Sequence, residues 1–153
     1  MGTRSLTRVI ETYRDEKKNK QVKVTLVNMY RQYDGYPSGP GLELAEFLTG
    51  KKVVNGIGED KNVFNGAGCL AAQMVAHFKT SAGGFYIYPI GAKDCGQEFE
   101  YEIILDFYTK EVTLKCITLG WFDDKGKYRS GKKVIFSGSP DKFAEFVEER
   151  EKE

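Results

Sequence analysis

The chain has 153 residues, 41% of them apolar and 29% charged, with a formal net charge of +1. That length supports one domain with a buried core, spanning 1–153, and that composition belongs to an ordered chain. The near-zero charge argues against sequence-independent binding to bulk nucleic acid. No apolar run approaches the ~18 residues of a membrane span, and no signal-peptide core is evident. Cys69, Cys95 and Cys116 lie far apart without metal-ligand spacing, so reduced thiols and a cytoplasmic protein are expected. Charge is uneven along the chain: residues 1–31 hold eight Lys/Arg against three acids, and residues 139–153 hold six acids against three bases. A basic N-terminal stretch suits a small anionic ligand. Two oppositely charged solvated surfaces account for the same counts.

Residues 3–13 read as a strand, and the charged run Arg14–Gln21 as a hairpin loop. Val22–Tyr33 reads as a second, central strand, with Val22, Val24, Leu26, Asn28 and Tyr30 on one face. A helix is expected over Leu42–Thr49, where Leu44, Phe47 and Leu48 recur at helical spacing and Gly50 is suited to end it. Lys51–Phe64, with the glycines of Gly56-Ile57-Gly58, shows no period and reads as a loop. Asn65 is a suitable N-cap for a helix over Gly66–Lys79. Period two then sets in over Phe85–Ile90, Glu98–Tyr108, Val112–Phe122 and Lys132–Phe136, which predicts an antiparallel meander. Glu98, Glu100, Glu102 and Asp106 share a parity and are expected to face water. Ser139-Pro140 opens a last helix. The order ββ-αα-ββββ-α predicts an α+β fold, one mostly antiparallel sheet with helices packed on it.

The densest local signal is Tyr30–Gly50. Asp34-Gly35 and Pro37-Ser38-Gly39 are turn sequences, and Gly39-Pro40-Gly41 leads into the helix. Free N–H groups at a helix start beside Arg31, Tyr33 and Tyr36 suggest an anion or nucleotide pocket. Tyr86 and Tyr88, on one strand parity, add rings able to stack a base. Catalytic patterns are weaker. Cys69 follows Gly66-Ala67-Gly68 near a helix start, yet the one histidine, His77, is two turns away along the same helix and out of reach as its base. No catalytic residue, metal site or cofactor is therefore expected. Neither a dinucleotide-binding glycine fingerprint nor a phosphate-binding loop with its lysine is present. Thr3 after Gly2 leaves an N-terminal-nucleophile hydrolase as an alternative.

Met1-Gly2-Thr3-Arg4, together with Tyr30, Asp34, Gly35, Tyr36, Pro37, Ser38, Gly39 and Gly41, resembles a family of small uncharacterised proteins of phages and bacteria. Its signature is Tyr-x-x-x-Asp-Gly-Tyr-Pro-Ser-Gly-x-Gly, and the resemblance covers about the first third of the chain. By analogy of size and context it implies a phage protein that sequesters a nucleotide immune signal. The expected reading is a non-enzymatic binder of a small phosphorylated ligand, a cyclic or ADP-ribose-derived nucleotide, acting in the host cytoplasm as a homo-oligomer. Arg4 and Arg31 would meet phosphates and Gly39 and Gly41 would add N–H contacts. Tyr33 and Tyr36 would stack the base, with Asp34 and Ser38 completing the ligand-binding set. A thiol hydrolase using Cys69 and a protein-interaction module built on the Tyr/Pro turn are the alternatives.

Overall fold

Long runs of β-branched and aromatic residues on either side of a charged turn form the first hairpin. In the computed structural model, which describes residues 3–54, 58 and 62–152, β1 (Ser5–Asp15) pairs antiparallel with β2 (Lys20–Arg31). Asp15 Oδ1 closes the turn by accepting from the N–H groups of Lys17 and Lys18. Val9 pairs with Val27 and Ile10 with Thr25, so Leu26 is the extra residue of a bulge. The bulge reverses side-chain parity on β2. It puts Val24 opposite Glu11, on the other side of the sheet from Asn28 and Tyr30, which corrects the single-face reading of this strand.

A π-helical turn (Pro37–Gly41) runs into α1 (Leu42–Leu48). The segment expected as loop contains β3 (Lys52–Val54) and β4 (Val63–Asn65), which pair in parallel; Gly56 and Ile57 lie outside the described residues. Then follow α2 (Gly66–Phe78), β5 (Phe85–Tyr88), β6 (Phe99–Asp106), β7 (Val112–Phe122), β8 (Tyr128–Gly138), a 3-10 turn (Pro140–Lys142) and α3 (Phe143–Glu151). The α+β class agrees with the sequence reading, and the element order matches it broadly, with β3 and β4 added between the first two helices.

The main sheet has strand order β5-β2-β1-β6-β7-β8, antiparallel except where β6 lies parallel to β1. Only β6, β7 and β8 form a meander. β5 pairs with β2 instead, Tyr86 opposite Tyr30 and Tyr88 opposite Asn28, which corrects the four-strand meander. The cause is the connection between β5 and β6, which crosses over the sheet rather than turning tightly. The N–H groups of Glu98 and Phe99 bond the Arg4 carbonyl and so seat β6 against β1.

All three helices pack on one face, where Val9, Met29, Tyr101, Ile103, Leu114 and Cys116 of the sheet meet Leu44, Leu70, Met74 and Phe143. The Tyr30–Gly50 stretch is a clamp within this core. Gly35 donates to the Thr3 carbonyl at 2.7 Å and accepts from the buried Tyr101 hydroxyl at 2.7 Å. A Cβ on Gly41 would stand 2.9 Å from the Phe143 ring and 3.1 Å from that of Tyr101, so only glycine lets the turn close on the core. The opposite face carries no helix. The connection 89–98 lies over part of it.

Candidate functional site

The helix-free face begins from ordinary strand alternation. Arg8 of β1 and Glu100 of β6 share the side-chain parity that points away from the helices, and both are covered. Glu100 is 0% exposed, held by a short hydrogen bond from Arg8 Nη1. Lys132 Nζ donates to Glu100 Oε1 at 3.3 Å and lies 3.2 Å from Oε2, where it is not aligned for a hydrogen bond. Burial alone pushes the Glu100 carboxyl upward. The Arg8 hydrogen bond and charge, with Lys132, outweigh that and hold it below the ordinary glutamate value. Glu100 therefore departs from the expected water-facing row: it is a buried carboxylate under two cations.

The covering strap is tied down by the same face. Arg8 Nη2 donates to the Ala92 carbonyl at 3.2 Å, and Asn28 Nδ2 donates to the carbonyls of Pro89 at 3.0 Å and Ala92 at 3.2 Å. Gln97 folds back on the strap, accepting from the Cys95 N–H and donating to the Lys93 carbonyl. Asn28 Oδ1, Glu100 Oε2 and Arg4 Nε are buried without a hydrogen-bond partner among the described residues. Buried polar atoms are nearly always satisfied, so Asn28 Oδ1 and Arg4 Nε stand out on this face, while Glu100 Oε2 is in an ion pair with Lys132.

Beside Arg4 stands a tyrosine platform. Tyr30 and Tyr88 stack with centroids 4.6 Å apart and planes 5° from parallel, and Tyr86 is tilted against Tyr30 at 6.2 Å. Tyr30 is buried and donates its hydroxyl to Gln32 Oε1 at 2.9 Å. Burial raises its pKa, with the charge of Arg4 opposing. Tyr86 is 45% exposed, an accessible ring beside these groups. Cations, amides and aromatic rings thus share one face. That arrangement can take a planar anionic ligand: rings stack the plane, guanidinium and ammonium groups meet the charge, and amides accept or donate at its edge.

The structure separates the residues that the sequence pointed to. Ser5 and Arg31 are register partners and share the helix face, so Arg4 leaves from the opposite face and the two arginines do not converge. Arg31 bonds Glu43 at 2.9 Å and lies over the Phe85 ring at 4.5 Å. It lines an open basin of ≈ 470 Å³ with Glu43, Glu46, Lys51 and His77, in which two acids balance two bases. Gly39 spends its N–H on the Tyr36 carbonyl, and Gly41 is packed against Phe143. Tyr36 lies against Gly39, Tyr33 is 57% exposed, Asp34 holds the turn at φ 58°, and Ser38 is exposed. A seven-residue helix with Glu43 in its first turn is a poor anion site.

The nucleophile candidates stand apart from any base. Cys69 Sγ contacts Gln73 Oε1 at 3.0 Å, while His77 packs on the rings of Phe47 and Phe78 at 4.9 and 4.8 Å. The Gly2–Thr3 bond lies outside the described residues; the Thr3 carbonyl is occupied by Gly35. Among the described residues no group of three or more His, Cys, Asp or Glu is placed to hold a metal ion, and no helix is long and apolar enough to cross a membrane.

Arg8, Asn28, Gln97 and Lys132 were not singled out by sequence, and Glu100 was read there as one of a row of solvated acids. The available signal was Arg4 and Arg8 alternating with Leu6 and Ile10 on one parity of the first strand, charges set into a row with buried apolar neighbours. Comparison with known proteins adds nothing further: no family model, curated protein or solved structure matches the chain.

Proposed function

We propose that this protein is a non-enzymatic binder of a small phosphorylated ligand with a planar ring, a nucleotide in the first instance, held on the helix-free face of the sheet. The observation that carries the reading is Arg4, whose buried Nε has no partner beside the stacked Tyr30 and Tyr88 and the exposed Tyr86. Arg4 and Lys132 supply charge to phosphate, and Tyr86 and Tyr88 supply a stacking surface. In a phage-encoded chain this activity would lower a cyclic or ADP-ribose-derived immune signal by stoichiometric capture. The separation of Cys69 from His77 favours capture over hydrolysis. A second copy completing the pocket would fit the same reading.

Calorimetry with cyclic dinucleotides and cyclic ADP-ribose isomers tests it. Arg4→Ala should weaken binding by about 1.5–3 kcal/mol, the contribution of a hydrogen bond to a charged group. Ligand recovered after denaturation should be unmodified and in fixed ratio to protein. Unchanged affinity in Arg4→Ala, with loss in Arg31→Ala, would return the site to the Tyr30–Gly50 turn. Product accumulating beyond one equivalent would make the protein an enzyme.

A further inference from the structure

The last paired residues of β6 and β7 are Phe99 and Thr118, Leu119 still donates to the Glu98 carbonyl at 3.0 Å, and beyond it β7 and β8 continue as a two-stranded ribbon. Gly120 pairs with Ser130, Trp121 with Arg129 and Phe122 with Tyr128. Cross-strand partners share a face, so Phe122 and Tyr128 stand together on one side of the ribbon. They are 72% and 58% exposed, and their rings meet edge to face at 5.5 Å. Tyr128 also lies over Gly120, so the pair helps to hold the hairpin, while most of the Phe122 ring stays open to solvent.

Charge concentrates in the same place. Residues 121–133 hold Lys125, Lys127, Arg129, Lys132 and Lys133 against Asp123 and Asp124, a net charge of +3 in a chain whose total is +1. Some of this is used internally. Asp123 pairs with Arg129 at 2.9 Å and its Oδ1 accepts from the N–H groups of Lys125 and Lys127, which rigidifies the tip. Lys132 faces Glu100, and Lys133 lies over the Trp121 ring at 5.5 Å. Lys125 and Lys127 remain exposed at the tip; Lys127, opposite Asp123 and next to Tyr128 in the strand, leaves from the face of Asp123 and Arg129, across the ribbon from the two rings. The low total charge had argued against bulk nucleic acid, and the local distribution reverses that argument for this one element.

We propose that the Phe122–Tyr128 end of the ribbon is a contact surface for single-stranded nucleic acid, with bases stacked on the two rings and backbone phosphates met at the tip by Lys125 and around the ribbon's edge by Lys127. Exposed rings interleaved with cations on a rigid β-ribbon match a polymer that alternates flat apolar bases with anions. A duplex hides its base faces and offers only charge. The surface is separate from the tyrosine platform on β2 and β5, so the proposal stands or falls independently of the small-ligand reading.

The test is fluorescence anisotropy of a labelled oligo(dT) titrated with the full chain at several salt concentrations. Saturable binding is expected, weakened roughly tenfold in the Phe122→Ala/Tyr128→Ala double variant, the usual effect of removing a stacked base contact. Lys125→Ala/Lys127→Ala should lower the magnitude of the log–log salt slope by about 1.4, at roughly 0.7 per phosphate contact. Absence of saturable binding would overturn the proposal, as would an aromatic double variant that binds like wild type. Equal binding of poly-glutamate, a polyanion without bases, would also overturn it.

Discussion

The buried carboxylate offers the sharpest quantitative check. Glu100 is fully covered and the Arg8 side chain is 10% exposed, whereas the Lys132 side chain is 55% exposed. Glu100→Gln keeps the shape but leaves the Arg8 guanidinium uncompensated beneath the strap. Breaking a buried pair in this way costs about 3–5 kcal/mol, so urea denaturation should show a loss of about 3 kcal/mol. Lys132→Ala should cost under about 1 kcal/mol, because its half-exposed ammonium is screened by water. Replacing both partners, Arg8→Met with Glu100→Leu, should cost less than the two single changes together, since it leaves no orphan charge. The pH dependence has a definite sign. Glu100 is held below its ordinary value of 4.5, so its stabilising contribution is full above that pH and is lost as pH falls through the depressed folded value. Glu100→Gln should flatten the acid limb of the stability profile. A Glu100→Gln protein within about 1 kcal/mol of wild type, with an unchanged acid limb, would refute the claim that this pair is coupled and buried.

Two further outcomes follow from the core. Gly41→Ala should destabilise by about 1–3 kcal/mol in thermal melts, because the new methyl meets the Phe143 and Tyr101 rings at distances that require them to shift. Burial pushes the Cys116 thiol up to about 12, so it should resist thiol reagents at neutral pH until the chain unfolds, with Cys69 and Cys95 the sites open to labelling in the folded state.

The elements themselves were legible because they depend on neighbours in sequence. Alternation in β6 and β7, the helix expected over Gly66–Lys79, and Ser139-Pro140 before α3 are local signals, and each is where it was expected. The Asp34-Gly35 turn was also legible, though its purpose was not. Its glycines answer to Tyr101 and Phe143, residues far along the chain, and a glycine needed for close packing reads the same as one needed beside a ligand.

Sequence alone determined the class of fold, the broad order of its larger elements and the face that the first helix buries, since periodicity and turn chemistry act within a few residues; the short β3–β4 pair between the first two helices was missed. Tertiary structure decided which strands are neighbours and therefore which side chains meet. Arg4 and Arg31 looked like one pair of cations until their positions on β1 and β2 placed them on opposite faces. Glu100 looked like one of several solvated acids. The parallel docking of β6 against β1 and the strap over that face set it against Arg8, 92 positions away in the chain. A side-chain parity states that a residue points out of the sheet on a given side. Whether water, a strap or an opposite charge waits there depends on contacts between distant segments, which no local pattern encodes.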